Sequence, residues 1–312
     1  MTRVAAVDCG TNSIRLLVAD ADPATGSFTE LDRRMTIVRL GQGVDRTGRL
    51  APEALERTFA ACRAYAAVIE ELGAERVRFV ATSASRDAEN SADFVAGVRD
   101  ILGVEPEVVT GDQEAQLSFD GATKELTGDH LAQPYLVVDI GGGSTEFVLG
   151  SDAVAAARSV DIGCVRMTER HLVEDGTVVD PPTHDRVAAI RKDVEAALDV
   201  AAATVPLTEA ATLVGLAGTV TTIAGIALEL EAYDSEAIHH SRVSRGQVRA
   251  ITERLLQSSH EERAAIPVMH PGRVDVIAAG ALVLLAVMER TGAHEVVVSE
   301  HDILDGIAWS AA

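Results

Sequence analysis

Two short stretches of this chain carry the residue types that handle phosphate. Val4 to Leu17 reads VAAVDCGTNSIRLL, and Leu136 to Leu149 reads LVVDIGGGSTEFVL. Each reads as an apolar strand that ends in Asp, a turn of Gly and small hydroxyl residues, and a second strand. An aspartate at a strand end can hold a cation or a water. Glycines let backbone N–H groups close on an anion, and Thr or Ser hydroxyls add donors. Gly10, Thr11, Asn12 and Ser13 would bind one phosphate group, and Gly141, Gly142, Gly143 and Ser144 another. Either turn alone is a plain hairpin. Together, with Asp8 and Asp139 at matching strand ends, they read as two phosphate turns that would grip a phosphate chain from both sides. Asp139 and Glu146 flank the second turn and converge if its strands pair. That pair suits a hard divalent cation such as Mg²⁺, or Mn²⁺, which takes one or two carboxylates, waters and phosphate oxygens. Asp8 is a third contributor.

Composition sets the limits. A chain of 312 residues exceeds a typical single domain, and two domains are the expectation. The hydrophobic fraction of 47% supports full cores, and aromatics at 3% mean that Ala, Val, Leu and Ile must build them. A net charge of −21 argues against nucleic acid or an anionic membrane as partner. A polyanionic substrate would then need a local positive site, for which Arg15, Arg39, Arg86, Arg166 and Arg273 are candidates. Arg15 follows the first turn and is a candidate phosphate ligand. The three cysteines, Cys9, Cys62 and Cys164, are widely spaced with no CxxC, which suits a reducing cytoplasm and excludes a disulfide framework. Cys9 has no His neighbour and reads as a small buried residue. The N-terminus has no signal-peptide pattern. The longest apolar run, Val276 to Met288, is too short to span a bilayer and reads as a buried helix.

These residues need elements to hold them. A meander covers 3–20 and 28–40. Pro52 opens a helix that Gly73 stops near Leu72. Strand 76–81, helix 91–102, strand 106–109 and a helix from Asp112 to about Leu126 follow. Residues 127–134 (TGDHLAQP) read as a linker. The order then restarts with strands 135–139, 144–149 and 153–160. Helices 163–173 and 183–203, strand 212–216, and helices 219–230, 246–257 and 272–290 come next. Strand 295–298 and a helix from about Ile303 close the chain. Two α/β halves are implied, 1–129 and 130–312, with the terminal helix (about 300–312) packing back on the first. Gly218 and Thr219 open a helix directly after an apolar strand, a place suited to anions; further phosphates, a guanosine moiety and a mere turn all stay open. His239 and His240 read as loop residues, and His301 and Asp302 as part of the domain junction.

Five segments in this order resemble the Ppx/GppA phosphatases, over nearly the whole chain: DCGTNSIRLL, ATSASRDAEN (81–90), TGDQEAQLSF (110–119), VVDIGGGSTE and LAGTVTT (216–222). The resemblance implies two ribonuclease-H-like domains of the actin-like ATPase fold around a central cleft, in the short form without the helical domain of longer members. It implies exopolyphosphatase activity on inorganic polyphosphate, with Glu114 as the general base and Arg86 neutralising a phosphate or transition-state oxygen through its planar fork. Guanosine pentaphosphate is the alternative substrate; scarce aromatics favour polyphosphate. A non-catalytic sensor and a kinase are the other readings, and the retained Glu114, Asp139 and Glu146 argue against the sensor. A homodimer is also an expectation. Gln113 departs from the family, where many relatives have an acidic residue.

Overall fold

The computed structural model describes the chain apart from residues 127–130 and the side chain of Glu125. The expected boundary at 129/130 and the first half of the expected linker lie outside the described residues. The chain forms two compact units, Met1–Lys124 with Asp302–Ala312, and Glu125–His301.

Unit 1 opens with an antiparallel meander of β1 (Thr2–Cys9), β2 (Ser13–Asp22) and β3 (Ser27–Ile37). A single helical turn, α1 (Val44–Thr47), and the long α2 (Pro52–Leu72) lead to β4 (Arg76–Ala81). Then come α3 (Ser83–Asp87), α4 (Ser91–Leu102), β5 (Glu107–Val108) and α5 (Gly111–Leu126). The sheet order is β3-β2-β1-β4-β5, with β4 parallel to β1 and β5 parallel to β4. Pro52 stands at the first position of α2, and Gly73 ends it in the left-handed conformation (φ 68°) with its N–H on the Glu70 and Ile69 carbonyls.

Unit 2 repeats the meander as β6 (Tyr135–Ile140), β7 (Thr145–Gly150) and β8 (Val154–Val160). The chain continues through α6 (Cys164–His171), the small ribbon β9 (Val173–Glu174) and β10 (Thr177–Val178), α7 (His184–Ala202), β11 (Thr212–Leu216) and α8 (Ala217–Ala227). It ends with α9 (Ser235–Ile238), β12 (Arg242–Ser244), α10 (Arg245–Gln257), α11 (His260–Ala264), α12 (Ile277–Thr291) and β13 (Glu295–Val298). The main sheet has six strands in the order β12-β13-β11-β6-β7-β8. The last helix, α13 (Ile303–Ala311), belongs to unit 1.

Side-chain parity explains the packing of unit 1. Ala5, Val7, Cys9, Ile14, Leu16 and Val18 face one core, with Tyr65 and Val68 of α2 and Phe94 and Val98 of α4. Val4, Ala6, Leu17 and Ala19 face the other, with Ile303, Leu304 and Ile307 of α13. A sheet covered on both faces needs apolar residues at every strand position, which is why β1 reads as a continuous run. In unit 2, every residue of α12 from Ile277 to Met288 is buried. A helix apolar all round is a core element; among the described residues, no helix is long and apolar enough to cross a membrane.

The elements differ from expectation where local signals mislead. The expected helix 272–290 starts late: Pro271–Arg273 form a separate 3₁₀ turn, and α12 begins at Ile277. The three-residue β12 carries one apolar residue and shows no period to read. The helix expected at 219 begins at Ala217, immediately after β11.

Two glycines bring α5 and α13 together backbone to backbone. A Cβ on Gly306 would lie 2.0 Å from the Leu117 carbonyl oxygen, and one on Gly121 would lie 1.8 Å from that of Asp302. Backbone atoms cannot step aside, so Gly306→Ala is expected to cost about 2–3 kcal/mol of stability by overpacking. Gly292→Ala, strained only by its positive φ with nothing near its Cβ, should cost about 1 kcal/mol. Urea denaturation of both variants checks this; equal losses would show that the helix contact has room.

Candidate active site

The two turns correspond position by position. In unit 1, Asp8 pairs with Arg15 and Cys9 with Ile14 across β1 and β2, and the Gly10 N–H donates to the Ser13 carbonyl at 2.9 Å. In unit 2, Asp139 pairs with Glu146 and Ile140 with Thr145, and the Gly141 N–H donates to the Ser144 carbonyl at 3.1 Å. None of Gly10, Gly141, Gly142 and Gly143 has a positive φ. Glycine therefore serves close approach here, rather than a left-handed backbone.

In both turns the carbonyl side is tied down. Thr11 O accepts from Gly41 N–H (2.9 Å), and Asn12 O accepts from the N–H groups of Val38 (3.0 Å) and Arg39 (2.9 Å). Gly141 O accepts from Cys164 N–H (3.0 Å), and Gly142 O from those of Val165 (2.9 Å) and Arg166 (3.0 Å). Arg166 Nε adds a bond to Gly143 O at 2.6 Å. With their carbonyls held, the turns present N–H edges, which is the arrangement of an anion-binding concavity. Two glycines outside the motifs permit the seal. A Cβ on Gly163 would fall 2.4 Å from Gly142 O, and one on Gly41 would fall 2.4 Å from Thr11 Cγ2. Sequence reading missed both, because their partners lie far along the chain.

Arg15 is engaged within its own unit. Its guanidinium donates to Asp8 Oδ2 from Nε (3.0 Å) and Nη2 (2.6 Å), and to Asp302 from Nη1. Asp8 and Asp302 are both buried. The fork expected on phosphate is taken by two carboxylates of its own unit. Parity is the reason: Asp8 and Arg15 share the sheet face of Val4, Ala6 and Leu17, onto which α13 packs, and Asp302 is the N-cap of α13. Burial raises the Asp8 pKa, although Arg15 opposes the shift. Asp8 thus has a cation on Oδ2 already, and it belongs to unit 1 while Asp139 and Glu146 belong to unit 2.

At the corresponding register of unit 2 the pair is acid against acid. Asp139 (7% exposed) and Glu146 (1% exposed) are both buried, and Glu146 Oε1 accepts from Ser159 Oγ on β8 at 2.7 Å. Like charges directly across a ladder are unfavourable, and a divalent cation relieves that. Among the described residues no group of three or more His, Cys, Asp or Glu side chains could form a metal cage. A cation at Asp139 and Glu146 would therefore lean on two carboxylates, water and phosphate oxygens, which fits Mg²⁺ or Mn²⁺ and not a structural zinc.

Glu114 and Arg86 are brought together. Thr11 Oγ1 and Ser83 Oγ share a hydrogen bond of 2.9 Å, and Thr82 N–H donates to Cys9 O at 3.2 Å. This docks α3 on the first turn. From α3, Arg86 Nη1 donates to Glu114 Oε2 (3.0 Å) and to Val109 O (2.9 Å). Arg86 was expected on a phosphate; the structure engages it first with Glu114. Glu114 stands in the first turn of α5 because Thr110 and Gln113 cap the helix reciprocally. Gln113 N–H donates to Thr110 Oγ1 (3.2 Å), and Thr110 N–H to Gln113 Oε1 (2.9 Å). Gln113, the apparent departure, is thus a capping-box partner, and TGDQ carried that signal.

In unit 2, Leu216 pairs with Asp139 in register, so Gly218 and Thr219 at the start of α8 follow the strand beside the second turn. Arg273 Nη1 donates to Gly218 O (2.8 Å) and Thr222 Oγ1 (3.1 Å). Its guanidinium covers Gly218 so closely that a Cβ there would lie 1.9 Å from Cζ. A cation at a helix N-terminus favours anions further. The rings of His239 and His240 are 3.6 Å apart, and that of His301 is 4.8 Å from His239. Cys9 is fully buried and burial pushes its thiol well up, which removes it as a nucleophile.

Turns that present N–H edges, a buried acid pair and an arginine-held glutamate, on two α/β units, fit a phosphate-handling enzyme of the actin-like two-domain fold. The chain belongs to the Ppx/GppA phosphatase family, whose model matches residues 17–311. It is 51% identical to a Mycobacterium tuberculosis protein named Exopolyphosphatase 2, covering 100% of this chain and 99% of the relative. Among solved structures, an exopolyphosphatase-like protein is similar at 43% identity and a TM-score of 0.93, covering 98% and 97% of the two chains. An Aquifex aeolicus Ppx/GppA family member is similar at 30% identity and a TM-score of 0.79, covering 99% and 97%.

Replacing Arg15 by Met would leave Asp8 and Asp302 buried without their shared cation. The expected loss is about 3–5 kcal/mol at neutral pH. Burial already holds the Asp8 pKa above its unfolded value, and losing Arg15 raises it further. Such a group costs stability once the pH passes its unfolded pKa, and the cost fades as the pH falls below it. Denaturant titrations of both proteins should therefore show the gap narrowing in acid; a gap independent of pH would contradict the assignment.

Proposed function

We propose that this chain hydrolyses the terminal phosphoanhydride bond of inorganic polyphosphate and releases orthophosphate, with Glu114 activating the attacking water. The observation that carries this reading is the linkage in unit 1 from the first phosphate turn, through Thr11 and Ser83, to Arg86 and Glu114. A base is of use only when held within reach of the bound phosphate, and this linkage fixes it relative to the turn. In each unit the rest of the turn's N–H edge, at residues 11–13 and 142–144, would bind phosphate oxygens, since the Gly10 and Gly141 N–H groups close their own turns. Arg86 orients the Glu114 carboxylate through Nη1 and offers the rest of its fork to the phosphate. Asp139 and Glu146 would hold Mg²⁺ or Mn²⁺, which when bound supplies neutralisation of the phosphate oxygens. Water attack in line with the leaving phosphate yields orthophosphate and a chain shorter by one, the proton passing to Glu114. The three free cysteines, all buried, suit a cytoplasmic setting.

A second reading is hydrolysis of guanosine pentaphosphate. Tyr233 favours it: the residue is 46% exposed, and its hydroxyl bonds to Thr221 Oγ1 of α8 (2.9 Å) and Glu300 Oε1 (2.6 Å). A tethered, open aromatic beside an anion-suited helix start could stack on a base.

Phosphate release from polyphosphate and from guanosine pentaphosphate decides between them. Glu114→Gln should lower kcat on polyphosphate by about 10³-fold, within the range for a general base, while binding persists. Activity of the variant near that of the parent would sink the assignment. Release from the nucleotide alone would promote the second reading, and binding without turnover would make the protein a sensor.

Chelation tests the acid pair separately. EDTA should abolish release and added Mg²⁺ or Mn²⁺ restore it, whereas Asp139→Asn should need at least about tenfold more metal for half-maximal rate. Unchanged metal dependence in Asp139→Asn would place the cation elsewhere.

A further inference from the structure

We propose that unit 1 carries an accessory polyanion pocket, separate from its phosphate turn, which holds a run of phosphates away from the scissile end. The inference deepens the polyphosphate reading and rests on it for the identity of the ligand. The pocket is a cavity of about 590 Å³ between the loop after β3 and the start of α2. Its ionisable lining is Arg46, Arg49, Arg57 and Glu53. Three cations less one anion leave the cavity at +2, in a chain whose net charge is −21. Concentrating positive charge in one concavity of an acidic protein is how an anion is attracted locally without general adhesion to polyanions.

The arginines are differently placed for the task. Arg49 meets Glu89 at 3.5 Å, with both side chains more than half exposed; such a pair is weak and exchanges readily for a phosphate. Arg46 is exposed on α1. Arg57 is fixed: Nε donates to Val38 O at 2.8 Å, and Nη2 donates to Gln42 Oε1 at 3.3 Å. No side chain caps the N-terminus of α2, which opens on the same cavity, so its dipole adds to the field.

The strip 38–42 runs from the first phosphate turn to the cavity, which it reaches at Gln42. On one side Val38, Arg39 and Gly41 donate to the carbonyls of the first phosphate turn. On the other, Arg57 grips Val38 and Gln42. Arg39 keeps a left-handed backbone there, with φ 50°, a conformation held only where surroundings enforce it. A polyanion in the pocket would thus press on the strip that shapes the turn. Two sources have the required chemistry: the distal part of the substrate chain, and a free oligophosphate acting as effector.

The test is the full-length double variant Arg46→Gln/Arg49→Gln; neither residue belongs to the turn, the base or the metal pair. Binding is read by calorimetry in a Glu114→Gln background, so absence of turnover does not obscure it. Long-chain polyphosphate should bind about tenfold more weakly, the scale of one or two charge-assisted contacts, with a shallower dependence on salt. Tripolyphosphate, whose three phosphates would be taken up at the turn, should bind as in the parent. If a free effector is the occupant, added pyrophosphate should alter the rate of tripolyphosphate hydrolysis in the parent and not in Arg46→Gln/Arg49→Gln. Unchanged long-chain affinity together with no pyrophosphate response overturns the proposal. Equal weakening of long-chain and tripolyphosphate binding overturns it too, since the arginines would then act on the turn itself. If neither substrate is hydrolysed by the parent, the function reading fails, while the calorimetric comparison still decides the pocket.

Discussion

The register of the first two strands in each unit is the constraint on which the site depends. A hairpin with a fixed turn sets which residues face one another, and a slip of one residue would turn every side chain to the opposite face. In unit 1 that register sets Asp8 against Arg15, and in unit 2 it sets Asp139 against Glu146. The same frame therefore yields two opposite electrostatic solutions. The first is neutralised from within, by an arginine shared with Asp302. The second sets two buried acids against each other across the ladder, with Ser159 donating to Glu146. One duplicated scaffold thus carries two different pairs at one register: one is locked to the C-terminal helix, and the other sets acid against acid.

Holding the turns open is the second requirement, and it is met by backbone rather than by side chains. A peptide turn that must donate to an anion has carbonyls that would otherwise repel it. Both turns solve this by giving the carbonyls to N–H groups from elsewhere, residues 38–41 in unit 1 and the start of α6 in unit 2. Gly41 and Gly163 stand where any side chain would collide with the turn they seal. A buried polar edge left unpaired would be costly; here the carbonyl edges are paired and it is N–H groups that the turns present.

What could be read from the sequence was what lies within a few residues. The Asp–Gly–hydroxyl turns, Pro52 and Gly73 at the ends of α2, and the restart of the meander near residue 135 are local signals, and all stand in the fold. The pairing of Arg15 with Asp302 was not legible, because the two lie 287 residues apart and no periodicity reports such a distance. The covering of Gly218 by Arg273 was hidden for the same reason. Gln113 was a different failure: TGDQ is a capping box in plain view, yet comparison with relatives made it look like a lost acid. Pro271 and Gly272 misplaced the start of α12, since proline at a helix start also begins a short 3₁₀ turn. The fold was thus legible where hydrophobic patterning is dense, and the candidate site's local geometry where its residues are close in sequence.

The acidity of the chain fits this division. A surface carrying a net charge of −21 repels polyanions in general, so any phosphate chain that binds must be caught where local donors outweigh the field. At physiological salt, charges screen one another beyond about 8 Å, so a few well-placed arginines decide what happens within a cavity while the distant acids hardly act there. Arg86 beside Glu114, Arg166 at the second turn and Arg273 over α8 each sit within hydrogen-bond reach of the element they serve. All three are held by backbone or carboxylate oxygens, which fixes their position before any ligand arrives. Cations fixed in advance lose little freedom on binding. An acidic protein can therefore take a polyanion where local cations are already held in place, while its net charge discourages attachment elsewhere.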